Sequence, residues 1–352
     1  SKPSNATLAQ PPALSRPADF FLSGGYTVFM TIETMKARSR LVTLTRDFFL
    51  SREYLETDTP ALAPSLIPES CLEVFATSYV HPYKAGFPLY LIPSPEIWMK
   101  RIIAETGRSV FQLCKSFRNA ESVGRIHNPE FTMLEYYTVG STSRDNIALT
   151  EELFSTLANP STPGAALPPF RRMTMAEAFS DLAGIDLDTL QERGTMVEVA
   201  RSKGLLANDA TSWEDAFNII FLSLVEPFLP PDKPLVLDEY PKGIECLARD
   251  IPGKPYKERW ELYVQGIEIA NCFSEMGDPS AVAEYFAAQG AKKLNSLVPH
   301  RVDAGYAALF NHFPPCSGVA IGFDRLAMVL LGKTDIGDVL KFPFASFEAE
   351  QG

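Results

Sequence analysis

The stretch GRIHNPEFTMLEYY, Gly124 to Tyr137, decides how this chain is read. Its first half carries Gly124 and Pro129, which punctuate loops. Its second half is rich in aromatic and β-favouring residues and predicts a strand over Phe131 to Val139. Period-two alternation puts Glu135 and Tyr137 on one face of that strand. A carboxylate and a phenol so placed suit an ammonium or hydroxyl ligand, and equally suit a cross-strand pair satisfied within the protein. Immediately upstream, Phe117-Arg118-Asn119 follows a strand predicted over Ser109 to Ser116. Arg118 and Arg125 therefore flank a short glycine-containing loop. Guanidinium pairs grip phosphate oxygens bidentately, and an aromatic after the loop, Phe131, would stack on a nucleobase. A charged surface hairpin accounts for the same residues about as well.

Working outward, ERWELYVQGIEIANCFSEM, Glu258 to Met276, sets Glu261, Glu268 and Glu275 among largely apolar neighbours. Carboxylates in such company are costly to bury unless they meet a cation. Glu261 and Glu268 suit a magnesium ion shared with phosphates, and Glu275 suits an amine, with Asn271 between them. A solvated strand edge is the alternative, disfavoured by Ile267, Ile269, Ala270 and Phe273. Further on, GVAIGFDRL, Gly318 to Leu326, places two glycines where a ligand would approach the backbone. Arg325 then opens an apolar helix, where an anion would explain it; an ordinary strand-to-helix turn would explain it too. Upstream, Ser94-Pro95-Glu96 follows a strand over Leu89 to Ile92 and reads as a helix start, with the helix running to Glu105 and closed by Gly107.

The remaining pattern gives a helix over Thr31 to Arg52, an extended Tyr54 to Pro60 and a helix over Arg144 to Leu157. A mostly helical insertion over about 173–229 follows, including one helix over Trp213 to Leu229. Strands come at Leu235 to Leu237, Trp260 to Gln265 and Gly266 to Ile269, and a strand and helix over Gly318 to Leu331 close the pattern. Strands that succeed one another without regular βαβ alternation predict an α+β fold, an antiparallel sheet flanked by helices. Residues 1–28 are expected to form a flexible tail and 29–352 a single catalytic domain. The formal net charge of -11 argues against extensive contact with nucleic-acid phosphates, which needs Lys and Arg. Five scattered cysteines without a CxxC pair fit reduced thiols of a cytoplasmic protein. No apolar run is long enough to span a bilayer.

In order and spacing these segments resemble the three signature motifs of class II aminoacyl-tRNA synthetases, lysine branch, over roughly residues 30–350. Motif 1 corresponds to the first helix with Tyr54 to Pro60, motif 2 to Phe117 through Tyr137, and motif 3 to Gly318 through Arg325. The resemblance implies ATP and Mg²⁺ as partners of the reaction. It places Arg118 on the α-phosphate and the substrate carboxylate, and Asn119, Glu121, His127, Asn128, Ile269 and Gly322 around the ATP. It stacks Phe131 on adenine, sets Arg325 over the base or the γ-phosphate, and gives the metal to Glu261 and Glu268. Ser94, Pro95, Glu96, Glu135, Tyr137, Asn271, Glu275 and Ala320 would line a lysine-like pocket. Catalysis by Arg118 and Arg325 would consist of positioning and charge neutralisation. Motif 1 implies a homodimer.

Within that branch the chain is similar to the stand-alone family that ligates (R)-β-lysine onto a lysine of elongation factor P. That family has Ser-Pro-Glu, as at Ser94 to Glu96, where the synthetases usually have Ala-Pro-Glu. It has alanine, as at Ala320, where they have glycine. Cys316-Ser317-Gly318 and VFQLCKSFRN, Val110 to Asn119, are also similar. Only about 30 residues precede the motif 1 helix, where lysyl-tRNA synthetases carry an anticodon-binding domain, so elongation factor P, not tRNA, is the expected acceptor. The chain departs from the family at Ala120, at one extra residue before His127, and at Cys272 in place of glycine. The competing expectations are an enzyme activating α-lysine for tRNA or another acceptor, and a regulatory paralogue that only senses an amino acid.

Overall fold

The computed structural model describes residues 30–348; the tail expected over 1–28 lies outside them. In chain order the elements are α1 (Ile32–Leu50), β1 (Leu55–Glu56), β2 (Leu62–Ala63), β3 (Ala76–His81), β4 (Lys84–Leu91), α2 (Glu96–Thr106), β5 (Val110–Phe117), β6 (Glu130–Val139), α3 (Ser143–Leu157), β7 (Arg171–Thr174), α4 (Met175–Ala178), α5 (Arg193–Ser202), α6 (Trp213–Ile220), β8 (Leu235–Pro241), β9 (Tyr256–Val264), β10 (Ile267–Ser274), α7 (Pro279–Lys293), β11 (Cys316–Gly322), α8 (Phe323–Leu330) and α9 (Ala345–Glu348). Eight strands form one sheet in the order β1-β5-β6-β11-β10-β9-β8-β7, parallel at its two edges and antiparallel between. A small second sheet has the order β2-β4-β3.

Local chemistry explains where the site-bearing elements begin. Thr31 caps α1 by accepting from the Thr34 backbone N–H, and a reciprocal Thr142–Asp145 box starts α3, each meeting amides that have no intrahelical partner. At α2 the Glu96 N–H donates to Ser94 Oγ at 3.3 Å, Pro95 takes the cap position, and Gly107 ends the helix at φ 63°. That is a left-handed conformation glycine adopts without strain.

One face of the large sheet is the core. Leu134 and Tyr136 of β6 and Val319 and Ile321 of β11 bury against Phe49 of α1, Phe154 of α3 and Leu326 of α8. Buried Asp324 fastens these layers: it accepts from the Thr132 N–H at 2.6 Å and from Arg38 at 2.5 Å. The opposite face of β6, β11 and β10 is left for the site, with α2 and α7 joined across its end through an apolar cluster that includes Ile97, Val282 and Phe286. The segment over 173–229 packs its own apolar cluster, with the Phe179 and Phe217 rings stacked at 5.1 Å, against Leu235 and Leu237 of β8.

The strand expected over Gly266 to Ile269 runs on to Ser274 as β10, and three other elements differ from expectation. The helix expected to run from Trp213 to Leu229 ends as α6 at Ile220 and continues as a wider turn over 221–225 and then a short 3₁₀ turn, where Pro227 has no N–H to extend the helix. The expected strand over Leu89 to Ile92 is the end of a longer hairpin, β3–β4. Gly86 and Pro88 argue against a strand by residue type, yet a side chain at Gly86 would lie 2.3 Å from the Tyr79 carbonyl oxygen, so the close strand approach itself requires glycine. Helix α7 was not anticipated, although Asp278 caps it and Pro279 opens it.

Candidate active site

Strand register brings the sequence-distant residues together. Glu135 of β6, Ala320 of β11, Asn271 of β10 and Glu261 of β9 are successive Cα partners across the sheet. Tyr137, Gly318, Phe273 and Arg259 form the neighbouring row. Gly318 is required by that packing: a Cβ there would sit 2.4 Å from Tyr137 Cε1 and 2.9 Å from Glu275 Oε1. At Gly322 an added Cβ would meet nothing nearer than 3.7 Å, so the protein itself does not demand glycine there. Over these rows lie two contiguous chambers, of about 200 Å³ and about 460 Å³. The larger falls within the range of about 300–1,000 Å³ common for small-molecule sites.

The smaller chamber is anionic. Glu96, Glu135 and Glu275 open into it with Ser94, Tyr137 and Phe273. Lys100, with no exposed side-chain surface, places Nζ 2.5 Å from Glu96 and 2.6 Å from Glu275. Tyr137 Oη donates to Glu135 Oε1 at 2.6 Å, while Glu135 Oε2 and Glu275 Oε1 are buried without a hydrogen-bond partner among the described residues. Burial, with Glu96 close by, pushes the Glu135 carboxyl up to about 8. Burial pushes Glu275 up to about 7 even against the pull of Lys100. Burial alone would depress the Lys100 ammonium, but Glu275 and Glu96 outweigh it and hold it well above its usual value. With these four groups ionised, they carry two more negative charges than positive between them; Glu69, Glu214 and Glu245 line the same chamber with Arg118 and Arg259. Unpartnered buried carboxylates of this kind are costly until a cation arrives, and the complement is a small molecule bearing ammonium groups.

The larger chamber holds Glu121, His127, Asn128, Phe131, Glu261, Glu268, Ile269, Gly322 and Arg325. Arg118 lies 5.3 Å from the Phe131 ring centroid and 3.7 Å from Glu121. Arg325 donates from Nε to the Ile126 carbonyl and from Nη1 to the Glu268 carbonyl, both at 2.9 Å, which fixes its guanidinium in the wall. Burial and Arg325 together hold the His127 ring below its usual range. Glu268 keeps 43% of its side-chain surface accessible, yet the walls around it and the charge of Glu261 push its carboxyl up to about 7. Glu261 is more committed: Tyr240 and Tyr263 donate to Oε2 at 2.5 and 2.8 Å, and Arg259 to Oε1 at 2.7 Å. Among the described residues no group of three or more His, Cys, Asp or Glu side chains forms a metal cluster. A cation here would rest on these two carboxylates plus phosphate and water oxygens, the usual manner of Mg²⁺.

Arg118, Arg259, Asn271 and Ala320 line both chambers and so mark their junction. Three expected residues are in neither wall. Arg125, expected to share a phosphate with Arg118, is exposed on the loop outside both chambers. Asn119 builds the loop instead, its N–H donating to the Glu73 carbonyl at 2.9 Å and its side chain to the Val74 carbonyl at 3.2 Å; Pro95 serves the α2 cap. Asn128 reaches the chamber, but its side chain is occupied by the Glu130 carbonyl and the Phe344 N–H. Cys272, fully buried, lies in the core on the opposite face, 3.3 Å from Ser317 Oγ, so replacing glycine there leaves the chamber intact. Ala120 adopts φ 57°, a left-handed conformation, and the next residue, Glu121, lies 3.7 Å from Arg118. Sequence reasoning missed Lys100, Arg259, Glu69 and Tyr285. Lys100 was visible as the i+4 neighbour of Glu96, and Arg259 as the same-face neighbour of Glu261. Glu69 sits in an irregular segment with no periodic signal.

An anionic chamber and a larger one meet at an arginine-lined wall over a mostly antiparallel sheet flanked by helices, the architecture expected of a class II synthetase domain. The family model described as tRNA synthetases class II (D, K and N) matches residues 30–346, and the chain belongs to that family. It is 36% identical to the elongation factor P--(R)-beta-lysine ligase of Vibrio cholerae over 89% of this chain and 96% of that protein. Its identity to the corresponding ligase of Haemophilus ducreyi is 32%, over 89% of this chain and 94% of that protein. The lysine--tRNA ligase of Chloroflexus aurantiacus is 33% identical, over 88% of this chain and 65% of that protein.

Proposed function

We propose that this protein is an AMP-forming ligase that activates (R)-β-lysine with ATP and transfers it from the adenylate to a lysine of elongation factor P. The observation that carries the reading is the anionic chamber, with its unpartnered Glu135 and Glu275 oxygens, joined to a nucleotide-sized chamber at Arg118 and Arg259. A lysine isomer complements it. Its two ammonium groups offset the excess negative charge, and its carboxylate is left facing the guanidinium groups. That carboxylate attacks the α-phosphorus of ATP in line, the bond to the bridging oxygen breaks, and pyrophosphate leaves. No side-chain nucleophile is needed, so the residues act by positioning and charge neutralisation.

In this reading Arg118 holds the carboxylate and α-phosphate, Phe131 stacks on adenine, and Arg325 closes the other side of the base or meets the γ-phosphate. Glu96, Glu135, Tyr137, Asn271 and Glu275 receive the amines, and the Ala320 methyl shapes the junction. Glu268, with Glu261 behind it, would hold Mg²⁺, which supplies charge neutralisation on the phosphates. Residues 29–352 would act as one catalytic domain with 173–229 as an insertion. A homodimer is part of this reading on the strength of the motif 1 segment, the first helix with Tyr54 to Pro60.

The 33% identity to a lysine--tRNA ligase favours a second reading, α-lysine activation for tRNA. Incubating the protein with ATP, each lysine isomer, elongation factor P and tRNA separates the two. The expected outcome is an ATP-dependent mass gain of one lysyl group on elongation factor P, greatest with (R)-β-lysine. Charged tRNA with unmodified elongation factor P would overturn the proposal.

A further inference from the structure

Transfer of the aminoacyl group requires an acceptor amine that has lost its proton, and alkylammonium groups are almost wholly protonated near pH 7. The carbonyl under attack belongs to the mixed anhydride, which spans the two chambers and so lies at their junction. Eight residues line both: Glu69, Cys71, Leu72, Arg118, Met133, Arg259, Asn271 and Ala320. Glu69 is the single carboxylate in that set.

It stands on the irregular segment between β2 and β3, which roofs the junction and is held down from α7. Gln289 accepts from the Ser70 N–H at 3.3 Å and also donates to Glu245, and Lys293 donates to the Leu72 carbonyl. The Glu69 carboxylate has no salt bridge within 4.0 Å among the described residues, unlike Glu96 and Glu275. The groups facing it are Glu96 and Lys100 of α2, Arg118 after β5, Lys293 and Tyr285 of α7, and Cys71 on its own segment. Burial and Glu96 raise its carboxyl to about 7, the range in which a group accepts and releases protons efficiently at neutral pH.

We propose that Glu69 is the general base of the transfer step, receiving the incoming acceptor amine at the chamber junction and taking its proton. The inference rests on the adenylate chemistry proposed above. The acceptor ammonium first gives one proton to the Glu69 carboxylate, and the neutral nitrogen then forms a bond to the carbonyl carbon. The bond from that carbon to the phosphate oxygen breaks, AMP leaves with the electron pair, the nitrogen's second surplus proton passes to the departing phosphate, and Glu69 later returns its own proton to water.

The test isolates transfer from activation. Enzyme carrying preformed lysyl-adenylate is separated from ATP and chased in single turnover with elongation factor P, with n-butylamine, or with hydroxylamine, an amine already neutral near pH 7. For Glu69→Gln the proposal expects transfer to elongation factor P and to n-butylamine to fall by about 100-fold, with the hydroxylamine chase changed by less than a few-fold. The wild-type n-butylamine rate should also rise and level through about pH 7, a limb absent from the variant. Equal losses with all three acceptors, or full transfer to n-butylamine, would overturn the role of Glu69. A wild-type complex that reacts with n-butylamine and ignores elongation factor P would overturn the acceptor reading instead, with Glu69 still judged by the ratio of the two small amines.

Discussion

Replacing Glu135 by glutamine separates the cost of the empty amine chamber from its use. Glu135 is 3% exposed and receives one hydrogen bond, from Tyr137. Its carboxyl is raised from 4.5 to about 8 by burial and by Glu96. A folded-state value above the unfolded one means that the native protein binds more protons across that window, so stability is highest below about pH 4.5 and is lost as pH rises through about 8. At about 1.4 kcal/mol per unit the shift corresponds to at most about 5 kcal/mol. Titration is shared with Glu96, Lys100 and Glu275, so about 2–4 kcal/mol is assigned to this side chain. Glutamine keeps the shape and cannot ionise. Urea unfolding of the ligand-free protein should therefore show E135Q and wild type nearly equal at about pH 5, with E135Q more stable by about 2–4 kcal/mol at about pH 8. Pyrophosphate exchange with lysine isomers should fall about 100-fold in the variant, because a charge-assisted bond to the amine is lost. Parallel stability curves at both pH values would refute the argument that this carboxylate is buried without compensation. Undiminished exchange would refute its part in amine recognition.

Gly318→Ala should lower stability by about 1–3 kcal/mol through overpacking, read as a fall in the urea midpoint. It should also weaken activation of every lysine isomer, since the new methyl would displace Tyr137 and Glu275. Glu268→Gln should raise the magnesium concentration needed for pyrophosphate exchange. In the wild type that requirement should fall as pH rises through about 7, because the carboxyl must shed its proton to bind a cation, whereas the variant should show no such limb in magnesium titrations over the same range.

Much of the site was legible because its signals are local. Alternation along β6 put Glu135 and Tyr137 on one face, the Ser94-Pro95-Glu96 start oriented α2, and the segment from Arg118 to Phe131 was singled out by residue type and does line the larger chamber at Arg118, His127 and Phe131. Lys100 was equally local, four residues from Glu96, but residue type alone does not distinguish a buried ammonium from a solvated one. The decision lay in two carboxylates meeting it, one of them Glu275, which directly follows β10 and lies well over a hundred residues away.

By itself the sequence determined the α+β class, the position of α1, α2, α3 and the central strands, and most of the residues that meet in the two chambers, but not α7 or the β3–β4 hairpin. Tertiary structure decided the rest. Register across β6, β11, β10 and β9 determined that Ala320 and Asn271 stand at the junction while Cys272 turns into the core. The fold of the segment before β3 brought Glu69 over both chambers, and the hydrogen bonds of Asn119 and Asn128 committed those side chains to the scaffold. The physical reason is that periodicity and capping act over a few residues along the chain, whereas desolvation and charge pairing depend on every element packed around a group.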